Sequence, residues 1–213
     1  MLKFQRVRKS FGADPILIID NQILDSGIYW LQGANGTGKT TLLRMIAGIV
    51  PFEGDILLQD HSQRGNPIVY RRLVGWADAE PLYPGFLTGE DLLAFYTGIL
   101  HPDPAQVNRL TRRLDIGGWL NTRLAGWSSG MTKKLALLLA FLGRPALITL
   151  DEPFITLDAT GLAGLNSLIR EYRDTYGTGF LLSSHQAPDA NDLRVARTLI
   201  ITNKSIQLND ILL

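Results

Sequence analysis

Gly33-Ala34-Asn35-Gly36-Thr37-Gly38-Lys39-Thr40 fits the pattern G-x-x-x-x-G-K-[ST] and stands between an apolar run, Ile28-Tyr29-Trp30-Leu31-Gln32, and a segment of helical periodicity. Glycines let successive backbone N–H groups converge on a phosphate without Cβ clashes, and a helix N-terminus adds partial positive charge. In that setting Lys39 reaches β- and γ-phosphates and the Thr40 hydroxyl ligates Mg²⁺. The competing reading is a glycine-rich turn with a surface lysine. The flanks favour the phosphate loop: a strand leads in, and Leu42, Leu43, Ile46 and Ala47 share one helical face before Gly48 and Pro51 stop the helix.

Leu2, Phe4 and Val7 suggest a first strand, Ile16 to Ile19 a second and Glu53 to Leu58 another. From about Pro81 to Phe141 the pattern becomes helical. Thr88 and Asp103 offer capping oxygens to two helices, and a third begins near Ser128 and carries the apolar run Leu135 to Leu142. After Pro145 come a strand over Ala146 to Leu150, a helix from Asp158 to about Tyr172 and a strand over Phe180 to Ser183. This alternation implies an α/β core with a helical lobe inserted into it.

Asp151 and Glu152 close the apolar run that starts at Ala146. Carboxylates at a strand's C-terminal end face the ligand crevice of an open α/β sheet. Asp151 would hold Mg²⁺ and its water, and Glu152 would polarise an attacking water. The alternative is an exposed acidic turn before Pro153.

Of 213 residues, 46% are hydrophobic and 19% charged, which sets disorder aside and leaves room for one large domain. A net charge of +1 is too small for a dedicated nucleic-acid binder, and zero cysteines exclude disulfides and thiol chemistry. The longest apolar run falls far short of the roughly 20 residues a membrane span needs. The N-terminus alternates apolar and basic residues and lacks a cleavable leader's apolar core, so a cytoplasmic chain is expected.

Together these motifs make the chain resemble the nucleotide-binding subunit of an ATP-binding cassette (ABC) transporter. The resemblance implies a P-loop NTPase core with an antiparallel β-subdomain and an inserted helical lobe at 81–141, all in one domain over 1–213. It also implies ATP and Mg²⁺, with two ATP molecules held between head-to-tail subunits that are two copies or paralogues. A separate transmembrane permease would place the subunit on the inner face of the cell membrane, and no nucleic acid is expected. ATP would contact Gly33, Asn35, Gly36, Thr37, Gly38, Lys39, Thr40 and Thr41.

Further residues take roles by the same resemblance. Ser128-Ser129-Gly130 corresponds to the signature that meets the opposite subunit's γ-phosphate, with Ser129 and Met131 departing from the family pattern; Ser128 also reads as an ordinary helix N-cap. Asp158 matches the interface aspartate called the D-loop and equally suits a helix cap. His185, closing Phe180-Leu181-Leu182-Ser183-Ser184-His185, matches the switch histidine. Phe11 takes the place of the adenine-stacking aromatic, against the alternative of a core phenylalanine. Ala79 stands where the family carries the Q-loop glutamine, leaving Asp78 or Glu80 as substitute metal ligands. Within the family, the short length, Asp-Glu-Pro-Phe and Ser-His-Gln resemble the small haem-exporter ATPase of cytochrome c maturation. Arg71-Arg72, Arg112-Arg113 and Lys133-Lys134 read as solvated faces or as contacts to lipid headgroups or a partner.

The expected function is ATP binding and hydrolysis that drives transport by the permease. Two alternatives stand beside it: a soluble ABC-type ATPase outside transport, and a regulatory module that binds ATP and hardly hydrolyses it. Retention of Glu152 and His185 argues against the latter, since binding alone needs neither.

Overall fold

In the computed structural model, which describes residues 1–184, 193, 195 and 197–210, the chain forms two sheets and the helices between them. The first is antiparallel in the order β2-β1-β4-β5, from β1 (Leu2–Phe11), β2 (Asp14–Leu24), β4 (Glu53–Leu58) and β5 (His61–Ser62). The second runs β10-β9-β3-β8-β7-β6. It comprises β3 (Ile28–Gln32), β6 (Val74–Ala77), β7 (Leu147–Asp151), β8 (Gly179–Ser183), β9 (Arg197–Thr202) and β10 (Ser205–Asp210). Its pairs from β9 to β6 are parallel, and β10 closes the edge antiparallel to β9.

β7 and β8 are buried at every position. That is why they read as unbroken apolar runs: a parallel strand covered on both faces has no side to leave polar. Strand β1 is longer than its alternation suggested. Arg6 adopts φ 49° and the pairing with β4 shifts between Gln5 and Arg8, so the inward set passes from Leu2 and Phe4 to Val7 with a change of parity.

Helix α1 (Lys39–Ile46) buries Leu42, Leu43, Met45 and Ile46 in a core shared by both sheets. A short α2 (Pro67–Arg72) precedes β6. Helices α3 (Gly89–Leu100), α4 (Pro104–Arg113) and α5 (Ser129–Ala140) all fall between β6 and β7. Their starts follow the chemistry of the chain. Thr88 caps α3 in a reciprocal box with Asp91, and Asp103 caps α4, with Pro104 in its first turn. Helix α5 is buried from Lys133 to Ala140 and packs beneath β6, while α6 (Ala159–Tyr176) sets Leu165, Leu168, Ile169 and Tyr172 into the same core.

Candidate functional site

The first half of the site is the turn from β3 into α1. Gly38 caps the helix at φ 102°, a left-handed conformation that disfavours a Cβ, and no side chain caps it. Leu42 N–H returns to the Gly38 carbonyl at 2.8 Å, so the amides of Lys39, Thr40 and Thr41 precede the helical ladder and are available to an anion. Lys39 Nζ lies along the turn, donating to the carbonyls of Gly33 (2.7 Å) and Ala34 (3.2 Å).

Strand β7 brings the second half. Thr40 Oγ1 donates to Asp151 Oδ2 at 2.7 Å, across 111 residues of chain. The other Asp151 oxygen accepts from Ser183 Oγ of β8, and Ser183 Oγ in turn accepts from the Glu152 amide at 3.0 Å. Glu152 itself sits at φ 44°, a conformation uncommon for a non-glycine residue and concentrated at functional sites. A cleft of about 400 Å³ opens here, walled by Asn35, Gly36, Lys39, Thr40, Asp151 and Glu152, with Ala79 at its edge.

This donor set suits Mg²⁺, which takes a carboxylate, a hydroxyl, waters and substrate phosphates in preference to an all-protein cage. Among the described residues no group of three or more His, Cys, Asp or Glu side chains converges to hold a metal alone. Thr40 and Asp151 are thus the fitting pair.

Phe11 is 57% exposed at the tip of the β1–β2 hairpin, so the core reading is wrong for it. Lys9 Nζ lies 4.7 Å from its ring centroid. Beside the phosphate turn a second cleft of about 420 Å³ is walled by Pro15, Ile16, Gly36, Thr37, Asn203 and Lys204. The turn at Asn203 and Lys204 has two positive φ angles, 49° and 63°, as a two-residue hairpin requires.

Ser128, Ser129 and Gly130 do not wall either cleft. They form the start of α5, where Ser128 Oγ accepts from Met131 N–H at 3.2 Å, so the N-cap reading holds. A Cβ on Gly130 would stand 2.8 Å from the Thr156 carbonyl, which gives that glycine a packing reason of its own. Asp158 caps α6 through Gly161 N–H (2.7 Å) and pairs with Lys134 Nζ (3.1 Å). The Gly161 amide, and after it Lys134, hold the Asp158 carboxyl below the usual range. His185 lies outside the described residues.

One expectation about charge is corrected. Lys133 and Lys134 are not a solvated face: they are 1% and 4% exposed. Burial pushes the Lys133 ammonium down to about 8, against the upward pull of Asp151, Asp78 and Glu152. Asp78 Oδ2 accepts from Arg44 Nη2 (2.7 Å) and Nε (3.1 Å), and Asp78 is not among the residues that wall the cleft. Ser183 and Lys133 were missed as site residues. Ser183 stood in view, in register with Asp151 if β7 and β8 are paired, but a serine at a strand end carries no signal without that pairing.

The ABC transporter family model matches residues 19–155, most of the chain. The chain belongs to the ABC transporter family. It is an ATP-binding subunit of that family and an ATPase. It is 31% identical over 193 residues to the cytochrome c biogenesis ATP-binding export protein CcmA of Albidiferax ferrireducens, covering 88% of this chain and 91% of that protein. It is 28% identical over 187 residues to the lantibiotic transport ATP-binding protein SrtF of Streptococcus pyogenes, covering 87% and 80%. A solved ATP-binding subunit of an ABC transporter superposes with a TM-score of 0.88 at 26% identity, covering 99% of this chain and 90% of that one. A dimeric ATP-binding cassette bound to ADP and Pi shares the fold at a TM-score of 0.81 and 18% identity, with 99% of each chain covered.

Proposed function

We propose that this ABC subunit binds Mg-ATP at the β3–α1 turn, closes on a second copy or a paralogue in a head-to-tail sandwich, and drives a separate transmembrane permease by hydrolysis. The single observation that carries the reading is the Thr40–Asp151 contact, because it joins phosphate loop and carboxylate strand at one cleft. Gly33 to Thr41 cradle the triphosphate, and Lys39 leaves its backbone carbonyls for the β- and γ-phosphates. Phe11, exposed near the second cleft, stacks on the adenine. Thr40 and Asp151 would hold Mg²⁺, which supplies charge neutralisation on the phosphates.

Glu152 orients the attacking water in line with the γ-phosphate, and His185 contacts that phosphate. Ser128, Ser129 and Gly130 face the partner's nucleotide through the α5 amides, with Asp158 at the same interface. Because the first turn of α5 lies outside the clefts of its own chain, it is available to the opposite one.

The partner's place is a groove of about 410 Å³ between α2, β6 and α3, rimmed by the exposed Ile49, Ile68, Phe95 and Ile99 beside Arg71 and Arg72. An apolar permease segment carrying a carboxylate fits it. Among the described residues no helix is long and apolar enough to cross a membrane; the proposal assigns the path for cargo to the permease. On this reading the subunit works at the inner face of the cell membrane through that partner. Steady-state hydrolysis tests the reading: Glu152→Gln should retain ATP binding and lose turnover by at least about a hundredfold, as removal of a positioned base does. Wild-type turnover in that variant would sink it.

A further inference from the structure

Lys133 lies one helical turn past Ser129 on α5 and is all but sealed from solvent. Its ammonium spends three N–H donors on three carbonyls: Asp78 (2.8 Å), Ala79 (3.1 Å) and Asp151 (2.8 Å). The Asp151 carbonyl and the Glu152 amide belong to one peptide group. Lys133 therefore holds that peptide at its oxygen while Ser183 Oγ holds it at its nitrogen, immediately before a glutamate in a left-handed conformation. The same ammonium grips the backbone at Ala79, where no side-chain amide is present to link the cleft edge to the helices.

We propose that Lys133 is a positioning residue for hydrolysis: it fixes the Asp151–Glu152 peptide, and with it the aim of Glu152, to the first turn of α5. A shift of that turn, which carries Ser128 to Gly130, is then transmitted to Glu152 through one buried cation. The inference rests on the proposed role of Glu152. It gives a physical reason for a lysine where an apolar residue would seal α5 against β6 at lower desolvation cost.

The test uses the full chain with Lys133→Met, Lys133→Gln and Lys133→Arg. Turnover per nucleotide-binding site should fall about ten- to hundredfold in Lys133→Met, with KM and ATP affinity within about threefold of wild type, as expected for a misaimed group rather than a lost binding contact. Lys133→Arg, which keeps a cationic donor, should recover part of the loss. Hydrogen exchange at the Glu152 amide should accelerate at least about tenfold in Lys133→Met, or in Lys133→Gln if the methionine variant does not fold. Unchanged turnover and unchanged exchange at Glu152 would overturn the inference, as would a fall in turnover matched by an equal loss of ATP affinity. Wild-type turnover in Glu152→Gln would instead overturn the proposed function, and the exchange measurement would still report on the Lys133 clamp.

Discussion

Asp151 is held through both carboxylate oxygens by hydroxyls from two other elements, Thr40 of α1 at 2.7 Å and Ser183 of β8. Both contacts orient the carboxylate from side chains of neighbouring elements. Hydrogen bonds to a charged group contribute about 1.5–3 kcal/mol each. Thr40→Val should accordingly weaken the Mg²⁺ dependence of hydrolysis by about ten- to hundredfold, while metal-free nucleotide binding changes little. Titrating turnover against Mg²⁺ at saturating ATP checks it; an unchanged midpoint would remove Thr40 from the metal site.

The exposed ring of Phe11 predicts a separation of ring from hydroxyl. Phe11→Tyr should leave ATP affinity within about threefold, whereas Phe11→Ala should weaken it by about five- to tenfold, in line with roughly 1 kcal/mol for a stacked ring. Calorimetric titration with ATP and with inorganic triphosphate reads the difference, since the triphosphate should not respond to either substitution.

Thr88 and Asp91 give the start of α3 a pH signature. The Thr88 amide, and after it the hydroxyl, hold the Asp91 carboxyl below its ordinary value. A lowered folded pKa stabilises above the unfolded value near 3.9 and is lost as pH falls through the folded one. Thr88→Ala should cost about 1 kcal/mol at neutral pH. The gap between wild type and variant in urea unfolding should shrink below about pH 4 and leave neutral-pH turnover unchanged.

How much of this was legible depends on whether the signal is local. The phosphate turn, β3, β4 and the caps at Thr88, Asp103, Ser128 and Asp158 are written in adjacent residues, and the structure has them where the chain says. The extent of β1 was hidden by the bulge at Arg6, which breaks alternation. Helix α2 left a readable cap, Asn66 before Pro67, that its six residues made easy to pass over. The contacts of Lys133 and Ser183 were illegible because their partners lie more than 17 residues away, Asp151 for Lys133 and Glu152 for Ser183. Doubled lysines look solvated until a helix is seen to turn them inward.

In the proposed cycle ATP closes two such subunits around the site. Light scattering after size exclusion, on Glu152→Gln with and without Mg-ATP, tests it, because on the proposed role of Glu152 the substitution should leave ATP bound and unhydrolysed. Glu152→Gln should be a monomer without nucleotide and a dimer with Mg-ATP, and Lys39→Ala should abolish the dimer. A Glu152→Gln chain that binds Mg-ATP and stays monomeric at concentrations well above its nucleotide Kd would contradict closure on a second copy.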